Sequence, residues 1–167
     1  GFDGNRRFVL ELRTSPTILS YVNGRELWRY SQAGVATPDH TIRTKNRPLI
    51  LHASTQGGLA EFKKAVKEAV EEFGKTYHAY FQRHSANQTQ PKIELDPLPR
   101  VVLVPGLGLF GAGRNAKDAA IVADIAESTV ETVTDAEAIG TFESAGESDL
   151  FDIEYWSLEQ AKLGKAE

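Results

Sequence analysis

The sequence predicts an α/β layer fold, and three observations carry that prediction. An apolar stripe at helical spacing runs through residues 58 to 84. Arg100 to Val104 is a continuous apolar strand that leads through a glycine-rich turn into a second amphipathic helix. Short β-branched and aromatic segments elsewhere supply further strands. The chain has 167 residues, 41% of them hydrophobic and 25% charged, which is one ordinary globular domain's worth and excludes low-complexity and collagen-like classes. A net charge of −4, from 19 basic and 23 acidic side chains, gives no general pull toward nucleic acid. No apolar run approaches the ~18 residues a bilayer span needs, so neither nucleic acid nor membrane is expected as a partner. The absence of cysteine removes disulfides, thiolate metal ligands and cysteine nucleophiles together.

The elements follow in chain order. Gly1-Phe2-Asp3-Gly4 has no Met, charged leader or apolar secretory core, and reads as the start of a processed product or of an excerpt from a longer polypeptide. Residues 6 to 12 suit a strand or a short helix, and residues 17 to 22 (Thr-Ile-Leu-Ser-Tyr-Val) read as a strand ended by Asn23-Gly24. Glu26 to Gln32 is a short helix stopped by Gly34. Pro38 and Pro48 make residues 35 to 48 a loop, with three cations crowded between Arg43 and Arg47, and Leu49 to His52 is a short buried strand.

In the long helix, Leu59, Phe62, Val66, Val70, Phe73, Tyr77 and Phe81 form the stripe, and Glu68, Glu71 and Glu72 its solvated side. Residues 85 to 99 are a proline-rich loop, Pro105 to Gly113 the glycine turn, and residues 115 to 133 the second helix. Residues 1–142 then form the α/β domain. Residues 143–167 are an acidic, aromatic extension leading toward a following domain, in which Phe151, Tyr155 and Trp156 need burial or docking.

Two constellations bear on chemistry. Gly106, Gly108 and Gly111 satisfy G-x-G-x-x-G after a strand and before a helix, where amides including that of Gly113 could cradle phosphate, with Arg114 and Lys117 adding charge. The dinucleotide version also needs an acidic residue on a following strand, and none is visible; a tight structural turn is the plain alternative. The second runs from Thr37 to Lys45, where His40 stands beside Asp39 and Arg43 and Lys45 suit a phosphate or carboxylate. Its alternative is an ordered loop with Asp39 capping a turn. His40, His52, His78 and His84 show no metal-ligand spacing. No catalytic residue or metal ligand is therefore assigned.

The block from Val102 to Ala119 resembles the last conserved block of class II aldolase and adducin-like domains, in which a strand leads into His-Gly-Leu-Phe and an Ala-Lys-Glu helix start. In that block the His is a zinc ligand; here Leu107 takes its position. The resemblance implies a three-layer α/β/α fold, with a class II aldolase-like sheet and flanking helices, in a degenerate copy. Together with Gly34 to Lys45, Pro99 to Phe110 and Phe151 to Leu163, it is similar to the middle region of bifunctional proteins that join a rhamnulose-1-phosphate aldolase to a short-chain alcohol dehydrogenase.

That resemblance implies a connecting, non-catalytic domain without a cofactor of its own. The parent would hold zinc and NAD in flanking aldolase and dehydrogenase domains and act in cytoplasmic breakdown of a rhamnose-type deoxysugar. Self-association into a homo-oligomer stays open. The competing expectation is a phosphate-ester or nucleotide-binding domain using the glycine-rich turn 106–113 with Arg43, Lys45, His40 and Arg114.

Overall fold

The computed structural model describes residues 7–52, 58–86 and 88–164, with side chains described through residue 161. The opening Gly1-Phe2-Asp3-Gly4 lies outside the described residues. A mixed four-stranded sheet has the order β1-β4-β3-β2, with β1 at Val9–Arg13, β2 at Leu49–Ile50, β3 at Val101–Val104 and β4 at Gly108–Gly113. β4 runs antiparallel to both β1 and β3, and β2 is parallel to β3. The α/β expectation holds, with helices packed against this sheet.

The glycine segment differs from its expected form. Only Pro105 to Leu107 turn, closed by the Leu107 N–H to Val104 carbonyl bond at 3.0 Å, and Gly108 to Gly113 is a central strand. Its glycines are there for proximity. A Cβ on Gly111 would lie 2.5 Å from the Ala123 nitrogen, and one on Gly113 2.2 Å from the Ala119 nitrogen. Both neighbours belong to α5 (Ala116–Ile139), which therefore rests directly on β4. Asn115 caps this helix by accepting from the Asp118 N–H at 2.9 Å. Ala119, Val122, Ala123, Ala126, Val130 and Val133 form its buried stripe.

Residues 17 to 22, expected as a strand, lie in helix α1 (Pro16–Val22). Ser15 accepts from the Ile18 N–H at 3.3 Å and Pro16 starts the helix, a capping signal stronger than the β propensity of the residues after it. Ile18, Tyr21 and Val22 then meet Leu103, Leu109 and Val130 in the main core. The short helix α2 is Leu27–Tyr30. The expected loop 35 to 48 contains a 3-10 turn at Pro38–His40 and the one-turn helix α3 at Thr41–Thr44.

Helix α4 (Gly58–Ser85) is the long striped helix, but its stripe is unevenly covered. Tyr77 is buried, Phe62, Val66 and Val70 are half-buried, and Leu59 is 68% exposed. α6 (Glu147–Glu154) and α7 (Ser157–Gly164) complete the chain. Phe151 and Tyr155 join Tyr77 and Tyr80 in a second core, so of the three aromatics expected to need burial or docking, two are buried within the domain and Trp156 is exposed.

The register also leaves one sheet face open. Val9, Glu11 and Arg13 face α5, where Arg13 reaches Asp124 at 2.8 Å. Leu10 and Leu12 point to the opposite face at 58% and 42% exposure. Among the described residues no helix is long and apolar enough to cross a membrane.

Candidate functional site

The residue that caps α3 is the one non-glycine position with a positive φ among the described residues. Lys45 has φ 65° and ψ 167°, a region that glycine occupies readily and side-chain-bearing residues do not. Thr41 and Thr44, both buried, hold it there. The Thr41 hydroxyl donates to the Pro38 carbonyl at 2.7 Å and that of Thr44 to the His40 carbonyl at 3.0 Å, while the Lys45 N–H closes on the Thr41 carbonyl at 2.9 Å. The outcome of this backbone is an inward-directed lysine, 5% exposed, whose ammonium sits 3.9 Å from the centre of the Tyr77 ring and 3.6 Å from Glu154 Oε1.

Glu154 is fully buried and fully partnered. Tyr77 donates to its Oε1 at 2.8 Å and Tyr80 to its Oε2 at 3.2 Å. Because Tyr77 has spent its one proton on Glu154, its oxygen accepts from the Tyr155 hydroxyl at 2.8 Å, and the Tyr155 oxygen in turn accepts from the Leu95 N–H at 3.2 Å. The protons of this chain all point toward one carboxylate. Burial is the main influence on both members of the ion pair. It lowers the Lys45 ammonium to about 8 and pushes the Glu154 carboxyl above the usual range, each partly offset by the other's charge. Burial likewise raises Tyr77 and Tyr80, and brings Tyr155 to about 12.

Lys45 also forms part of the wall of a cleft of about 310 Å³ between α3, the segment leading into β3, and the start of α5. Arg43, Lys45, Arg100 and Arg114 line it with Asp96, Asp118, Asn115 and Gly113, and Ile42, Leu95, Ala112 and Val122 supply apolar wall. Asp96 accepts from the Leu98 N–H at 2.9 Å and lies 3.3 Å from Arg100. Burial raises this carboxyl, and the Leu98 N–H and Arg100 more than reverse that, leaving it below its ordinary value. Asp118 is tied to the Asn115 amide at 3.0 Å. Arg114 is exposed and makes no ion pair or hydrogen bond among the described residues.

Of the residues the sequence singled out, Arg43, Lys45, Gly113 and Arg114 thus converge. The others do not. Gly106 sits in the β3–β4 turn with φ 82° and gives its N–H to Asn23 Oδ1 at 2.8 Å, and Gly108 opens β4 with φ 137° beside the Arg13 carbonyl. Gly111 is packed under α5. A phosphate cradle built from these glycine amides is replaced by a β-strand. His40 lies on the 3-10 turn against α6 and outside the cleft lining; its Nδ1 is buried without a hydrogen-bond partner.

The zinc implied by the aldolase resemblance does not fit these residues. Leu107, with a hydrocarbon side chain, stands at the ligand position on an exposed turn, and among the described residues no three His, Cys, Asp or Glu side chains are grouped to hold a metal.

The sequence reading placed Tyr77 in the apolar stripe and Tyr155 among the aromatics needing burial or docking, but it did not join them with Tyr80 and Glu154 at one site. The signal available for Glu154 was its place four residues after Leu150 and three after Phe151, which puts a carboxylate on the buried face of α6.

Residues 2–163 match the family model described as the second domain of class II aldolase. The chain is also 31% identical over 160 residues to the uncharacterized oxidoreductase YuxG of Bacillus subtilis (strain 168). That match covers 95% of this chain and 23% of the relative, so the chain spans less than a quarter of the relative's length.

Proposed function

The chain belongs to the class II aldolase family, as its second domain, and from that premise we propose that it is a connecting, non-catalytic domain of a larger aldolase and oxidoreductase protein. The observation that carries this reading is the alignment of nearly the whole chain with 23% of an oxidoreductase, which leaves most of such a protein to other domains. In the fuller form of the proposal, a zinc aldolase domain precedes this one and an NAD-dependent short-chain dehydrogenase domain follows it. The parent then cleaves the ketose phosphate of a rhamnose-type deoxysugar and oxidises or reduces the aldehyde product in the cytoplasm.

Two geometric features support a connecting role. Leu10 and Leu12 give the sheet an apolar face over β1 that no element among the described residues covers, and the stripe of α4 extends to the exposed Leu59. Exposed apolar patches of this kind mark interaction surfaces.

The test compares lyase and NAD-linked oxidoreductase activities of the whole polypeptide with those of the 167-residue chain supplied with zinc and NAD. Both activities are expected in the former and neither in the latter. Turnover by the short chain overturns the proposal. A second arm introduces Leu10→Asp and Leu12→Asp into the whole polypeptide. Faster proteolysis between domains is expected, and an unchanged cleavage pattern contradicts docking on this face.

A further inference from the structure

We propose that β1 pairs edge to edge with β1 of a second copy of this chain, antiparallel about a two-fold axis through Glu11. β1 closes one side of the sheet, and among the described residues no strand pairs with its outer edge. What that edge offers follows from β4. Ala112 gives its N–H to the Arg100 carbonyl at 2.7 Å, so Ala112 and Phe110 turn their backbone groups toward β3, and Leu109, Gly111 and Gly113 turn theirs toward β1. These three stand opposite Arg13, Glu11 and Val9. The N–H and C=O groups of Leu10 and Leu12 therefore point outward, donors and acceptors alternating along one edge.

That edge is complementary to itself. Pairing about Glu11 sets Leu10 opposite the second copy's Leu12, and each such pair exchanges two backbone hydrogen bonds. On the open face the leucines of both copies, 58% and 42% exposed in the single chain, then lie side by side. On the face toward α5, Arg13 stands opposite the second copy's Val9, whose exposed side chain its stem can cover. The two Glu11 carboxylates meet near the axis, diagonal to the other copy's Arg13, and each already holds an ion pair with the Arg13 of its own strand. Asp124 and Glu127, which α5 carries beside this edge, bind the same guanidinium. β1 has no proline, lysine or bulge to keep another edge away, and its two charges are opposite in sign. The pairing goes beyond the connecting role and joins two sheets into one of twice the width.

The experiment measures the 167-residue chain by sedimentation equilibrium. Twice 18.4 kDa is expected at about 100 μM. A monomer at that concentration overturns the pairing and leaves the connecting role to the mass and activities of the whole polypeptide. Leu12→Pro removes an N–H that β4 does not use, so circular dichroism is expected to stay native while the dimer dissociation constant rises about tenfold or more. An unchanged constant overturns the edge. The chain has no cysteine, so Glu11→Cys reports independently. Position 11 meets its own copy in a non-hydrogen-bonded pair, with Cα atoms about 4.5 Å apart and within disulfide reach. Under mild oxidation Glu11→Cys is expected to form a covalent dimer faster than Leu59→Cys, at the exposed start of α4. Equal rates, or faster crosslinking through position 59, overturn the pairing.

Discussion

Lys45 and Glu154 show how one residue pair ties three helices together. The carboxylate gathers hydroxyls from α4 and the ammonium from the end of α3, while lying itself at the last residue of α6. Removing one partner of a buried ion pair leaves the other uncompensated. Glu154→Gln is therefore expected to lower unfolding free energy in urea by about 3–5 kcal/mol, and Tyr77→Phe by about 1–2 kcal/mol, because Tyr155 then loses its acceptor.

The pH dependence follows from the same contacts. Lys45 is lowered in the folded state to about 8 from an ordinary 10.5, so between these values the unfolded chain binds more protons and stability rises with pH. The limiting slope for one proton is about 1.4 kcal/mol per pH unit. Tyr77 and Tyr80 are raised, so above their ordinary value of 10 the unfolded chain loses protons first and stability falls. Urea denaturation from pH 7 to 11 is expected to show this rise and fall, and Lys45→Met to remove the rise alone.

At the scale of elements, β4 and α5 meet backbone to backbone. The glycines of β4 leave no room for a methyl group: in Gly113→Ala the new carbon would fall 2.2 Å from helix backbone. We expect a cost of about 1–3 kcal/mol, read as a melting temperature lower by roughly 2–4 °C per kcal/mol. Gly146→Ala, where the nearest atom is a side-chain oxygen at 3.3 Å, is the milder comparison.

These contacts also explain what could be read in advance. The helices at 58–85 and 116–139 announced themselves by periodicity, since an apolar stripe is a property of neighbouring residues. The strand from Gly108 to Gly113 did not, because its pattern of glycines records the approach of α5 and β1, partners distant in sequence. Residues 17 to 22 carried a legible Ser-Pro helix start that β propensity obscured. In the candidate site, Arg43, Lys45 and Arg114 were visible as charge. Their union with Arg100, and the burial of Lys45 against Glu154, depended on how α3, α5 and α6 come together.

For the whole molecule, the uneven burial sets the expectation. The main core under α5 and the aromatic core under α6 are buried, whereas, among the described residues, Leu10, Leu12 and Leu59 at the start of α4 stay exposed. Leu59→Ser should change the stability of the 167-residue chain by less than about 0.5 kcal/mol, by urea denaturation, since its side chain is largely exposed. The intact mass of the native polypeptide carrying this sequence, taken from the source cells, decides whether this is a connecting domain within a larger protein. Coverage of 23% of the oxidoreductase relative predicts a mass about four times 18.4 kDa. A native chain of 18.4 kDa would contradict it.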